Sequence, residues 1–314
     1  MFLIVLFSGD FRQTLPIIPK GNRATIVSSS LSRCSFWPRV RIFKLTKNMR
    51  LEAPNLSERQ IMERSEYAHW LLEIGNGRIK DVIVPESFLL RGSIDDLIEK
   101  IYPDLLNVDN SGILSATNIS VDEINNKVLS KLPGEGKVYL SCDTVGNTDT
   151  AAFPVDFLNR LNISGLPPHQ LHLKVGAIVM LLRNLNPSNG LMNGTRLKIL
   201  SLMERVIKVE IITGTCIGTV HFIPRIKLIP SDSTLPFEMS RIQFPIKLAY
   251  AMTINKSQGQ SMNRVGLFLQ NQVFSHGQLY VALSRATSPD RVSVLLPERT
   301  ITATNVVFRE ALAV

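Results

Sequence analysis

Cysteine is scarce. The 314 residues hold three, Cys34, Cys142 and Cys216, far apart and never as a C-x-x-C pair. That spacing excludes a disulfide framework and a cysteine-built zinc site. It suits three reduced, largely buried thiols in an intracellular compartment. Histidine is scarce as well. The close pair His169 and His172 has no neighbouring thiol or carboxylate, so both read as loop residues rather than metal ligands. No apolar run approaches the roughly 18 residues of a membrane span. The apolar opening, Phe2 to Phe7, is too short for a secretory core and lacks a basic leader, so residues 1–8 read as a buried strand. Absent too is any Gly-x-x-x-x-Gly-Lys-Ser/Thr loop. The nearest approach, Gly134-Glu135-Gly136-Lys137, has Lys131 where the leading glycine belongs and Val138 where a hydroxyl belongs. The acidic pairs Asp95-Asp96 and Asp122-Glu123 read as helix starts, where carboxylates favour the dipole, and not as magnesium ligands. No metal site is predicted from these residues.

What is present is basic. Lysine and arginine number 35 against 26 acidic residues, for a net charge of +9 and a pI near 9.6. That balance favours a polyanionic partner, most simply nucleic acid. Hydrophobic content of 45% and charged content of 19% fit a soluble globular chain. The length predicts two to three domains.

After the opening strand, residues 9–20 read as a loop and residues 22–37 as a helix ending near Trp37-Pro38. Residues 41–45 alternate weakly and read as a strand. Tyr67, Trp70, Leu71 and Ile74 follow helical spacing with Gly75 as terminator, and Ile94, Leu97, Ile98 and Ile101 repeat the pattern. Residues 113–116 predict a short strand. Ser120 and Glu123 predict a capping box for a helix carrying Ile124, Val128 and Leu132. This alternation predicts an α/β layer with a parallel sheet. The texture changes near Leu166-Pro167-Pro168. Residues 175–182, 196–200, 206–212 and 218–223 read as strands separated by turn chemistry, Asn193-Gly194 and Thr213-Gly214 among it, and predict a small β-barrel inserted in the α/β domain. Residues 230–236 read as the return linker. The α/β texture resumes with strands at 246–252, 265–269 and 291–296 and a helix at 275–286.

Several residues carry chemistry. The loop Thr253-Ile254-Asn255-Lys256-Ser257-Gln258-Gly259-Gln260-Ser261 leaves a predicted strand, where backbone N–H groups, hydroxyls and a lysine meet phosphate. Thr253, Lys256 and Ser257 are candidates for a DNA phosphate, and Gly259 permits close backbone approach. An ordinary polar loop has the same composition. Arg285, near a helix end, is either solvated there or an arginine finger aimed at a γ-phosphate. Gln13, on a loop leaving a strand, can sense a γ-phosphate or orient water, or simply satisfy nearby backbone. Arg50 reads as a second phosphate ligand or a surface arginine.

The order of these pieces is more specific than any one of them. Gly9-Asp10-Phe11-Arg12-Gln13, then Leu45-Thr46-Lys47-Asn48-Met49-Arg50, then residues 253–261, then Leu279-Tyr280-Val281-Ala282-Leu283-Ser284-Arg285 resembles the Pif-type (petite integration frequency) DNA helicases. The resemblance runs along essentially the whole chain and is nearest to the plant and Helitron-like branch. It implies two RecA-like domains that use ATP and Mg²⁺ to move 5′ to 3′ on single-stranded DNA, with roles in repair, recombination and telomere maintenance. It implies that residues 1–40 are the last piece of the first RecA-like domain. Residues 41–165 and 237–314 then form the second, around an SH3-like barrel at 166–236. Gln13, Arg50, Gly259 and Arg285 match nucleotide-contacting positions, with Gln13 and Arg285 in the catalytic role. Thr253, Lys256 and Ser257 match the DNA-backbone motif, and Thr117 and Asn118 a further phosphate contact.

In that family the nucleotide-binding loop, the magnesium-binding acidic pair and the signature helix all lie upstream of Gly-Asp-Phe-Arg-Gln, where this chain has only a strand's length. The expectation is therefore the carboxyl-terminal part of a motor, as a fragment, a mis-called gene or a truncated product, without Mg²⁺ ligands of its own and inactive alone. A separate amino-terminal half is one expected partner and single-stranded DNA the other; a membrane is not. The alternative is a non-enzymatic single-stranded-DNA-binding remnant of a transposon-derived helicase. The expected location is the nucleus, with the mitochondrion second.

Overall fold

The computed structural model describes residues 5–49, 56–146, 153–163, 165–230, 235 and 237–313. In chain order, α1 (Arg23–Ser28), α2 (Glu58–Gly75), β1 (Asp81–Ile83), α3 (Ile94–Ile101), β2 (Gly112–Ser115) and α4 (Asn118–Lys131) come first. There follow β3 (Gly136–Leu140), β4 (Cys142–Val145), α5 (Val155–Arg160), β5 (Gln170–Lys174), β6 (Ile178–Leu181), β7 (Arg196–Leu202), β8 (Val206–Ile211) and β9 (Val220–Pro224). Then come β10 (Ile226–Leu228), β11 (Met239–Gln243), β12 (Ile246–Leu248), β13 (Ala251–Thr253) and β14 (Val265–Phe268). The last are α6 (Gln278–Leu283), β15 (Val292–Leu295), β16 (Thr302–Thr304) and α7 (Arg309–Leu312). The chain divides into two compact units, one of Met1–Ile101, Ser111–Val121 and Met252–Val314, the other of Tyr102–Asn110 and Asp122–Ala251.

The first unit is built on a four-stranded sheet in the order β13-β2-β14-β15. β14 runs parallel to both β2 and β15, pairing Val265 with Gly112 and with Val292. All three strands are buried along their whole length, as a parallel sheet covered on both faces requires. Glycine at 266 lets α3 approach: a Cβ there would sit 2.8 Å from Ile101 Cγ1 and 3.1 Å from Leu97 Cδ1. Ser115 pairs with Phe268, so β2 and β14 end side by side and their outgoing loops share the carboxyl end of the sheet. That end is where this architecture places ligands. α2 starts in a full capping box between Ser57 and Gln60, buries Tyr67, Leu71 and Ile74, and is anchored by the Tyr67 hydroxyl donating to Leu283 O at 2.7 Å.

The second unit centres on a five-stranded sheet, β12-β6-β7-β8-β9, antiparallel throughout. Strict alternation along β8 sends Ile207, Val209 and Ile211 into a core with Leu197, Ile199 and Phe244, as its sequence pattern predicts. A second, smaller sheet runs β10-β11-β4. On β11, Arg241 forms a buried bidentate pair with Asp143 of β4 at 2.7 and 2.8 Å, and its remaining donors reach the carbonyls of Leu158 and Pro167.

Several local expectations differ from what is seen. Residues 5–8 form no strand and Leu6 is 88% exposed; residues 1–4 lie outside the described residues. An apolar run says only that burial is favourable, not that a strand partner exists within reach. Residues 41–45 are likewise not a strand, with Phe43 and Leu45 exposed. The predicted helix at 22–37 is α1 followed by two single 3₁₀ turns, since the serine run at 28–30 closes the first helix. α4 begins two residues before the expected capping box because Thr117 Oγ1 already accepts the Ser120 N–H, at 3.4 Å. Asp122 therefore lies inside the helix, paired with Lys247 at 2.7 Å. The strand expected at 246–252 breaks into β12 and β13, and the helix expected at 275–286 shortens to α6. His172 lies on β5 rather than in a loop.

Candidate functional site

The loop at 9–14 folds on itself first. The Gln13 N–H donates to Asp10 O at 3.0 Å, and Asp10 Oδ1 accepts from the Arg12 N–H at 3.0 Å and from Arg12 Nη1 at 3.2 Å. An aspartate followed two residues on by its own backbone donor is a turn that needs no tertiary help. The segment before and within α6 then receives it. The Tyr280 hydroxyl donates to Asp10 Oδ2 at 2.9 Å, and His276 Nε2 lies 2.8 Å from Phe11 O. Gly277, at φ +71°, packs beneath the loop. A Cβ there would stand 2.3 Å from Arg12 O and 2.7 Å from the Gln13 carbonyl carbon, so only glycine fits, on both counts. Burial, with Asp10 second, pushes the Tyr280 hydroxyl up to about 12. Gln13 itself is half-buried.

The loop after β13 makes one 3₁₀ turn, Ile254–Ser257. Ser257 is fully buried and its hydroxyl donates to Ile254 O at 2.7 Å, so here it shapes the turn. Lys256 is exposed and Thr253 half-buried. Gly259, at φ +79°, has open space where a side chain would be. This loop meets the first one through the Thr14 hydroxyl, which donates to Gln258 Oε1 at 2.7 Å.

Arg285 follows α6 and is buried. Its Nε donates to Val281 O at 2.9 Å, Nη1 to Gln260 O at 2.8 Å and Nη2 to the Ser284 hydroxyl at 2.8 Å. The guanidinium thus ties the helix to the 254–260 loop. Gln278, at the other end of α6, does the same: its Nε2 donates to Asn255 Oδ1 at 3.1 Å while Oε1 accepts the N–H groups of Phe274 and Ser275. One short helix therefore organises Gln13, the 253–261 loop and Arg285.

Thr117 and Asn118 leave the carboxyl end of β2, the neighbour of β13 in the sheet. The Thr117 hydroxyl is engaged with Ser120 at 3.1 Å, and Asn118 is exposed. Arg50 lies outside the described residues. Among the described residues no three His, Cys, Asp or Glu side chains cluster to hold a metal ion, and no helix is long and apolar enough to cross a membrane.

Sequence reasoning gave no role to Asp10, Tyr280, His276, Gly277 or Gln278. All five lie in or beside the stretches that bear Gln13 and Arg285. Asp10, Tyr280, His276 and Gly277 meet partners some 265 to 270 positions away, and that distance hides them; Gln278 meets Asn255, 23 positions away, in the neighbouring loop.

Three family models match parts of the chain: one described as PIF1-like helicase over residues 3–84, one as DNA helicase Pif1, 2B domain, over 156–202, and one as helicase over 237–299. The ATP-dependent DNA helicase Pif1 of Campylobacter jejuni is 30% identical over 303 residues, covering 92% of this chain and 62% of that protein. The ATP-dependent DNA helicase PIF1 of Xenopus laevis is 34% identical over 196 residues, covering 60% of this chain and 28% of that protein. Among solved structures, the Pif1 helicase of Candida albicans aligns with a TM-score of 0.65 at 25% identity, over 97% of this chain and 66% of that one. A Bacteroides Pif1 bound to single-stranded DNA aligns with a TM-score of 0.63 at 23% identity, over 91% and 60%. The chain spans less than two thirds of the length of each of these relatives.

Proposed function

We propose, because this chain belongs to the Pif1-like helicase family and its parallel sheet is RecA-like, that it supplies the carboxyl-terminal lobe of an ATP-dependent DNA helicase moving 5′ to 3′. The observation that carries this reading is the convergence on α6 of the Gln13 loop, the 253–261 loop and Arg285. A motor needs its nucleotide sensor and its DNA-contacting loop joined by a stiff element, and a buried helix hydrogen-bonded to both is such an element.

ATP and Mg²⁺ do not fit the residues present by themselves. No glycine-rich loop occurs in the 314 residues, and the Arg285 donors are turned to carbonyls of their own unit. The reading therefore assigns the phosphate cradle and the metal ligands to a first RecA-like half, whether in the same polypeptide or a separate one. The apolar side chains exposed between residues 5 and 45, Leu6, Ile17, Phe43 and Leu45 among them, support such a covering partner. Thr253, Lys256, Thr117 and Asn118 would face single-stranded DNA, the first two from the loop after β13 and the others from the start of α4. The antiparallel sheet of the second unit supports an SH3-like barrel over 166–236. A nuclear location, with work in repair, recombination or telomere maintenance, belongs to the same proposal.

The test is ATP turnover with single-stranded DNA. The chain alone should give none, and adding a separately produced first RecA-like half carrying the glycine-rich loop should restore it. Turnover by the chain alone would overturn the division of labour. The second reading, a DNA-binding remnant without fuel, is favoured by the buried, fully directed Arg285. It predicts DNA binding that the added half does not convert into turnover.

A further inference from the structure

His276 is fully buried between two segments distant in sequence. Its Nδ1 accepts the Phe308 N–H at 2.8 Å, which leaves Nε2 to carry the proton and donate it to Phe11 O at 2.8 Å. The adjacent Gly277 N–H donates to Val306 O at 3.0 Å, and the Phe308 ring lies 5.5 Å from the imidazole. We propose that His276 is a positioning residue: a neutral imidazole, protonated on Nε2, that ties the carboxyl-terminal segment to the loop carrying Gln13 and lets go of the carboxyl-terminal segment when it takes a second proton. A doubly protonated ring has N–H on both nitrogens, so Nδ1–H would confront the Phe308 N–H donor and that bond is lost.

The charged groups around it set the sign. Burial chiefly holds the ring below the ordinary value of 6.5; the Phe11 carbonyl works against this, Arg23 adds to it and Asp10 opposes it. Arg23 lies over the Phe308 ring at 4.7 Å and pairs with Glu310 at 2.7 Å; Arg12 is turned to Asp10 and Asn76, and Arg309 to Gly77 O. On α6 the facing group is Tyr280, neutral and bonded to Asp10. Because the folded value is lowered, the unfolded or opened form binds the proton more readily. The coupling is complete above the free-imidazole value and is lost as pH falls through it towards the lowered one.

The coupling does not rest on the helicase reading, and the experiment separates the two. In the full chain, ring ¹⁵N spectra at about pH 7.5 should report the Nε2–H tautomer. On acidification, amide protection at Phe308, corrected for intrinsic exchange, should fall by up to about tenfold per pH unit below the free-imidazole value. Leu269, bonded to Leu295 O within the sheet, should not follow. His276→Gln keeps a donor and an acceptor without titrating, so it should retain protection and lose the pH dependence. An Nδ1–H tautomer, or Phe308 protection that stays flat while the ring titrates, would overturn the proposal. If the glutamine variant does not fold, the wild-type titration decides alone. Failure of the helicase reading would instead appear as absent turnover in the reconstituted motor with this coupling intact.

Discussion

At the scale of single residues, the arrangement turns on contacts that tolerate almost no substitution. Gly277→Ala brings a methyl group 2.3 Å from Arg12 O in a left-handed backbone conformation. It should cost about 1–3 kcal/mol and shift the 9–14 loop, read as a lower melting temperature and faster amide exchange at Gln13. Tyr280→Phe removes one hydrogen bond to the Asp10 carboxylate without changing shape. It should cost about 1.5–3 kcal/mol in urea unfolding, as a bond to a charged group does. An undiminished stability would mean that the loop is held by packing alone. The sequence marks Gln13 and Arg285 because they sit in short ordered strings of residues. It does not mark His276 or Tyr280, because a lone histidine or tyrosine has no periodicity and gains its meaning from partners some 265 and 270 positions away. Nor does it disclose that Arg285 is buried against carbonyls, since an arginine at a helix end is solvated in most folds.

At the scale of elements, legibility follows how much of the signal is local. α2, α3 and the strands β7 and β8 were readable because a buried stripe at helical spacing or strict alternation is written within a few residues of itself. Residues 5–8 of the opening apolar run form no strand, because burial and strand pairing are different facts. The start of α4 differs from expectation for another reason: Thr117 and Ser120 compete as caps, and spacing alone does not rank them. Thr117→Ala should therefore destabilise by about 0.5–2 kcal/mol. Glu123→Ala should be nearly neutral, because Glu123 lies past the first turn of α4 and is not its N3 partner. The same urea experiment on both variants checks the assignment, and the reverse ranking would restore the original capping box.

At the scale of the whole molecule, the net charge of +9 and the loops at the carboxyl end of the sheet both support the proposed single-stranded-DNA partner. Single-stranded DNA binding should weaken with salt. Lys256→Ala should lower the magnitude of the slope of log K against log salt by about 0.7, the contribution of one phosphate contact on a single strand. An unchanged slope would place Lys256 off the DNA path. What the whole molecule does with that binding depends on Arg285. In the structure it is buried and donates to Val281 O, Gln260 O and the Ser284 hydroxyl, and the motor reading requires it to reach a phosphate from there. The most direct measurement is DNA-stimulated ATP turnover in the chain reconstituted with a first RecA-like half, comparing wild type with Arg285→Ala. A fall of roughly a thousandfold or more, with DNA binding retained, is the predicted result. Full turnover by the alanine variant would contradict the account.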